Sequence, residues 1–130
     1  MGVLLDTHAW LWWASDPERL GEAGGRAIAA AETIGVASIS CWEVAMLALK
    51  GRIELDREPE RWIRQALALP GIRVEQLSPR VAVAAAMLDG QEFPGDPADR
   101  MIYATGRALG MPLITRDAAL REFDPRGTLW

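Results

Sequence analysis

Short β-like runs alternating with helical stretches constrain this chain more than any other feature. Gly2–Leu5, Ile34–Ala37 and Leu113–Thr115 are brief apolar runs, Ile72–Leu77 suggests a further strand, and Thr128–Trp130 adds a last edge-strand candidate. Between them, apolar residues recur at helical spacing. Strands separated by roughly ten to thirty helical residues need crossover connections, which build a mostly parallel sheet with helices on both faces. The expected fold is therefore α/β, in three layers.

Local signals place the helices. Thr7–Ala14 reads as the first, with Trp10, Trp13 and Ala14 on a shared face. Asp16-Pro17 breaks it, and an alanine-rich helix is expected from about Glu18 to Glu32. Ser40–Lys50 reads as a helix closed by Gly51. Pro59 opens another, carrying Trp62, Ile63, Ala66 and Leu67 and ended by Pro70-Gly71. Ser78-Pro79 and Asp96-Pro97 each pair an N-cap residue with proline at the first helical position. They predict helices through Leu88 and to about Leu109, the second stopped by Gly110 and Pro112. Asp117–Glu122 is a short last helix.

At 130 residues the chain is expected to form a single domain, 1–130. Its longest apolar run, Val81–Leu88, is far shorter than the ~18 residues of a membrane span. No basic stretch precedes a long apolar segment at the N-terminus, so no signal peptide is expected. The single cysteine, Cys41, cannot form an internal disulfide and fits a reducing, cytoplasmic setting. The charge balance, 14 basic against 18 acidic residues, looks unfavourable for a nucleic-acid binder. If five acids gather in one pocket, however, the remaining surface is near neutral and leaves arginines free for phosphates. Charge therefore excludes no class.

Taken singly, the acids have local explanations. Asp6 follows the first strand and suits an N-cap; Ser40-Cys41-Trp42-Glu43 and Asp96-Pro97-Ala98-Asp99 both fit the capping-box pattern; Asp117 suits a cap on the last helix. Taken together they suggest more. Ligands of open parallel sheets bind outside the carboxyl ends of the strands, where helix N-termini converge. Carboxylates gathered there repel one another and call for a counter-charge, which a hard divalent cation supplies. Cys41 and His8 are each the only residue of their type, so no zinc-like cluster competes.

The motifs are also recognisable. Leu4-Leu5-Asp6-Thr7-His8-Ala9-Trp10-Leu11-Trp12 resembles the opening of PIN-domain ribonucleases of the VapC toxin type, and Ser38-Ile39-Ser40-Cys41-Trp42-Glu43-Val44 their second motif. Asp96-Pro97-Ala98-Asp99-Arg100 and Leu113-Ile114-Thr115-Arg116-Asp117 resemble the third and fourth. The resemblance spans almost the whole chain. It implies a three-layer α/β/α fold with about five central strands. It also implies a Mg²⁺ or Mn²⁺ centre in which Asp6 and Asp99 are direct ligands, Glu43 and Asp117 bind directly or through water, and Asp96 supports. Relatives often carry a histidine before the third motif; here that stretch reads Glu92-Phe93-Pro94-Gly95.

The implied activity is endoribonuclease hydrolysis leaving 5′-phosphate and 3′-hydroxyl ends, with Glu43 or Asp117 accepting a proton from water. The implied partners are an RNA substrate, a cognate VapB-type antitoxin and a second copy of the chain. Thr115 is a candidate to orient a carboxylate, and Arg100 and Arg116 to meet phosphate, although each equally suits a structural role. His8 reads as structural or solvent-facing rather than as a general base. Trp10, Trp12 and Trp13 cannot share one helical face, and core or interface packing is favoured over base stacking. A PIN-like DNA nuclease and a non-catalytic acidic metal- or phosphate-binding module are the alternatives. A phosphoacceptor receiver is disfavoured because the only lysine, Lys50, is not near the late strands.

Overall fold

The strand candidates become β1 (Gly2–Leu5), β2 (Thr33–Ala37), β3 (Ile72–Glu75), β4 (Leu113–Ile114) and β5 (Thr128–Leu129) of a computed structural model that describes residues 1–130. They form one sheet in the order β3-β2-β1-β4-β5, with every neighbouring pair parallel. Central β1 sets Val3 opposite Ile34 of β2 and Leu5 opposite Ile114 of β4. Val3, Leu4 and Leu5 are all buried, as expected of a strand covered on both faces.

Seven helices supply that cover: α1 (Thr7–Ser15), α2 (Glu22–Ala30), α3 (Ser38–Leu49), α4 (Pro59–Leu67), α5 (Pro79–Met87), α6 (Pro97–Leu109) and α7 (Ala118–Phe123). Successive strand residues point to opposite faces, so one strand serves two cores. Val3 and Leu5 join Trp10 of α1, Ile28 of α2, Val44 of α3 and Trp62 of α4. Leu4 joins Phe93, Ile102 and Tyr103 of α6, and Leu120 of α7 on the other side. Helix α5 rests on α6 through Val81, Ala85 and Ala104. The result is a three-layer α/β/α arrangement.

The crossovers position the site. The first two, from β1 to β2 and from β2 to β3, carry α1–α4 on one face. The third runs back along the other face, past β2 and β1, to place β4 on the far side of β1. This reversal opens a crevice outside the carboxyl ends of β1 and β4.

Most expected helix starts are found. Asp6, Ser78, Asp96 and Asp117 cap α1, α5, α6 and α7 through their side chains. Gly110 ends α6 with a φ of +65°, a left-handed conformation that glycine adopts without steric cost.

Three expectations need correction. The helix expected over Glu18–Glu32 is interrupted: Pro17–Arg19 forms a single 3₁₀ turn, and α2 starts only after Gly21. A Cβ on Gly21 would lie 2.4 Å from the Trp130 carbonyl carbon, so the chain bends there to admit the C-terminal residue. The capping box over Ser40–Glu43 does not form. Helix α3 runs straight out of β2 from Ser38, with Ala37 as an N-cap that makes no side-chain bond, and Ser40 faces the interior. Finally, β3 stops at Glu75 rather than Leu77, because its partner β2 ends at the paired residue Ala37.

Candidate active site

Asp6, the residue after β1, turns its carboxylate back onto α1, where Oδ1 accepts the Ala9 N–H at 2.8 Å. Burial pushes its pKa up, opposed by hydrogen bonds from the Thr115 hydroxyl and the Ala9 N–H. Thr115 follows β4 and is fully buried; its Oγ1 also accepts the Asp117 N–H at 3.1 Å. Asp117 Oδ1 in turn accepts the N–H groups of Ala119 and Leu120 at 3.0 and 3.2 Å. Thr115 thus ties together the acids at the ends of the two central strands.

Asp96 and Asp99 close the expected capping box at the start of α6. The Asp99 N–H donates to Asp96 Oδ1 at 2.9 Å, and the Asp96 N–H donates to Asp99 Oδ2 at 3.2 Å. Helix N-terminal geometry would ordinarily favour the charged forms. Burial wins at Asp99, where desolvation, then the Asp96 charge and the Glu43 charge, push the pKa up to about 7.

Glu43 projects from the second turn of α3. The Thr7 hydroxyl donates to its Oε1 at 2.5 Å, and a 3.1 Å hydrogen bond links the Thr7 and Ser40 hydroxyls. Burial raises the Glu43 pKa, and the Thr7 bond partly offsets the rise. Thr7, bonded to Glu43, and Ser40, bonded to Thr7, support the site without having been singled out in the sequence, since their pairing joins α1 to α3 across the fold. The available signal was Thr7's position directly after Asp6.

One cleft of about 710 Å³ is lined by Asp6, Glu43, Asp96, Asp99 and Asp117, with Arg116, Lys50 and Arg52 among its cations. Carboxylate oxygens of Glu43, Asp96 and Asp99 lie within 4.8 Å of one another. Such a set is all oxygen, mutually repulsive and partly desolvated, and so fits a hard divalent cation. Arg100, by contrast, does not line the cleft; its Nη1 pairs with Asp89 at 3.0 Å. The tryptophans separate: Trp10 is fully buried against Trp62, Trp13 packs on the same core, and Trp12 lines the cleft.

A parallel sheet with acids from four helices and their caps gathered at its switch point defines a class, and residues 3–125 match the PIN domain family. The chain belongs to that family. It is 42% identical over 130 residues to ribonuclease VapC22 of Mycobacterium tuberculosis, covering 98% of each chain. Among solved structures it is similar to a toxin–antitoxin complex from Klebsiella pneumoniae, at 24% identity and a TM-score of 0.69, covering 98% of this chain and 96% of that one. It is also similar to VapBC2 from Rickettsia felis bound to a promoter DNA fragment, at 12% identity and a TM-score of 0.71, covering 99% and 98%. Both likenesses bear on the fold. No helix is long and apolar enough to cross a membrane.

Proposed function

We propose that residues 1–130 act as a single PIN domain, the metal-dependent endoribonuclease toxin of a VapBC-type toxin–antitoxin pair. The observation that carries this reading is the convergence of Glu43, Asp96 and Asp99 within 4.8 Å in a cleft that Asp6 and Asp117 also line. Strong similarity to a ribonuclease supports RNA as the substrate. The toxin–antitoxin complexes among the structural neighbours support a VapB-type antitoxin as partner. Exposed Val83 and Met87 on α5 leave an apolar surface suited to a second copy of the chain.

Asp6 and Asp99 would hold the cation directly, Glu43 and Asp117 directly or through water, with Asp96 in support. A bound Mg²⁺ or Mn²⁺ supplies Lewis acidity and positive charge for hydrolysis of a phosphodiester. The chain's own groups do the rest. Glu43, with its pKa raised by burial, accepts a proton from the attacking water, while Thr7 holds its carboxylate in place. Thr115 fixes Asp6, the capping box fixes Asp99, and Arg116 faces the substrate phosphate across the cleft.

The test is cleavage of labelled structured RNA by antitoxin-free protein with Mg²⁺ or Mn²⁺, alongside EDTA, Asp6→Asn and a matched DNA. Cutting that leaves 5′-phosphate ends and disappears in both controls is the expected result. Cleavage that survives Asp6→Asn, or acts on the DNA alone, would overturn the reading.

A further inference from the structure

Trp12 stands one helical turn beyond His8 on the same face of α1, and its ring borders two clefts at once. One is the acidic cleft; the other, of about 590 Å³, continues from it and shares His8, Trp12 and Arg52. The guanidinium carbon of Arg19 lies 4.7 Å from the Trp12 ring centroid, and that of Arg116 lies 5.6 Å away. His8 and Trp130 approach the same ring, each with centroids 5.6 Å from it. Neither arginine pairs with a carboxylate, although five line the adjoining cleft.

A guanidinium stacked on an indole keeps its N–H fork free at the edge, which suits bidentate contact with phosphate. Arg52, shared by both clefts, adds a third cation without an acidic partner. Farther along the second cleft the lining includes Asp16, Glu54 and Asp56, the last already bonded to Arg57. Positive charge is therefore concentrated at the Trp12 end, beside the acidic centre. About 9 Å along the α1 axis separates Trp12 from Asp6, by helical rise.

We propose that Arg19, Trp12 and Arg116 form a phosphate-binding subsite for the RNA strand next to the scissile bond, an assignment that rests on the ribonuclease reading above. Arg19 and Arg116 meet phosphates flanking that bond. Trp12 is a positioning residue: its ring holds both guanidiniums in place while the acids at the centre carry the chemistry.

The 130-residue chain in EDTA, titrated with a short labelled single-stranded RNA of mixed sequence over a range of salt, separates binding from cutting. Arg19→Ala and Arg116→Ala are each expected to weaken binding several-fold and to flatten the logarithmic salt dependence by about 0.7 per lost contact. Trp12→Ala is expected to match the two losses combined, and Trp12→Phe to retain most of the affinity. With metal restored, Arg19→Ala raises KM and leaves kcat at saturating RNA near its original value. Arg19 is exposed, so its variant answers the question even where Trp12→Ala fails to fold. Wild-type affinity and salt slope in Arg19→Ala, from a protein that cuts RNA, would overturn the subsite and leave the ribonuclease reading standing. Unchanged RNA affinity with lost capture of a VapB-type antitoxin would assign the surface to a protein partner and overturn it equally. A wild-type protein that neither binds nor cuts RNA would remove both.

Discussion

Asp99 keeps its proton up to about pH 7 in the cation-free protein, against an ordinary value of 3.8, because burial and the nearby charges of Asp96 and Glu43 oppose ionisation. Between those two values the folded protein binds more protons than the unfolded chain, so its stability falls as pH rises through that window. A divalent cation needs the carboxylate, so binding releases the proton and tightens as pH rises through about 7. Calorimetry of Mg²⁺ binding below neutrality, in buffers of differing ionisation enthalpy, should register that release. Asp99→Asn should reduce it, leaving the contributions of Asp6 and Glu43, and should remove the Asp99 share of the pH slope of cation-free stability. Thr7 makes a second case at this scale. Thr7→Val removes the 2.5 Å donor from Glu43. We expect kcat to fall about tenfold to hundredfold, as for lost outer partners of metal ligands, with KM little changed and Thr7→Ser restoring activity.

The glycines flanking α6 separate steric from conformational demands. A Cβ on Gly95 would meet the Asp99 Cβ at 2.5 Å and Phe93 at 2.6 Å, whereas one on Gly110 meets nothing within 4 Å. Gly95→Ala should therefore displace Asp99 and depress cleavage. Gly110→Ala, strained only by its φ of +65°, should cost about 1 kcal/mol in urea melts and spare activity. Elements like α6 were readable in the sequence because capping and termination are local: Asp96-Pro97 and Gly110 act within a turn of their own positions. The inner strands β1, β2 and β4 were readable for a related reason, since burial on both faces leaves continuous apolar runs. What escaped depended on residues distant in sequence. Ser40 and Glu43 have capping-box spacing, yet β2 passes into α3 without a loop and turns both toward Thr7, 33 and 36 positions away. Gly21 ends up against Trp130, and Trp12 in the cleft, because packing against the sheet sets the phase of each helix. The acids were identifiable from motif order, and Thr115 beside Asp117 could be named as a carboxylate-orienting candidate, but the route holding Glu43 through Thr7 belongs to the assembled fold.

Across the whole molecule, gathering like charges in one cleft sets cation-free stability against function. Mg²⁺ or Mn²⁺ should raise the unfolding midpoint, by an amount equivalent to about 2.7 kcal/mol at a hundredfold excess over Kd. Asp6→Asn should shrink that increment in thermal melts with and without EDTA. The strand order β3-β2-β1-β4-β5 carries a consequence in time as well as space. Synthesis is vectorial, and β1, the first strand made, must wait for Leu113 and Ile114 to fill its second edge. Until synthesis passes residue 117, Asp6 and Glu43 are present but the Thr115–Asp117 segment is not complete. A nascent chain therefore lacks a complete acidic centre until the segment that carries Thr115 and Asp117 has been joined, which delays any hazard to the RNA around it until that late strand has been made.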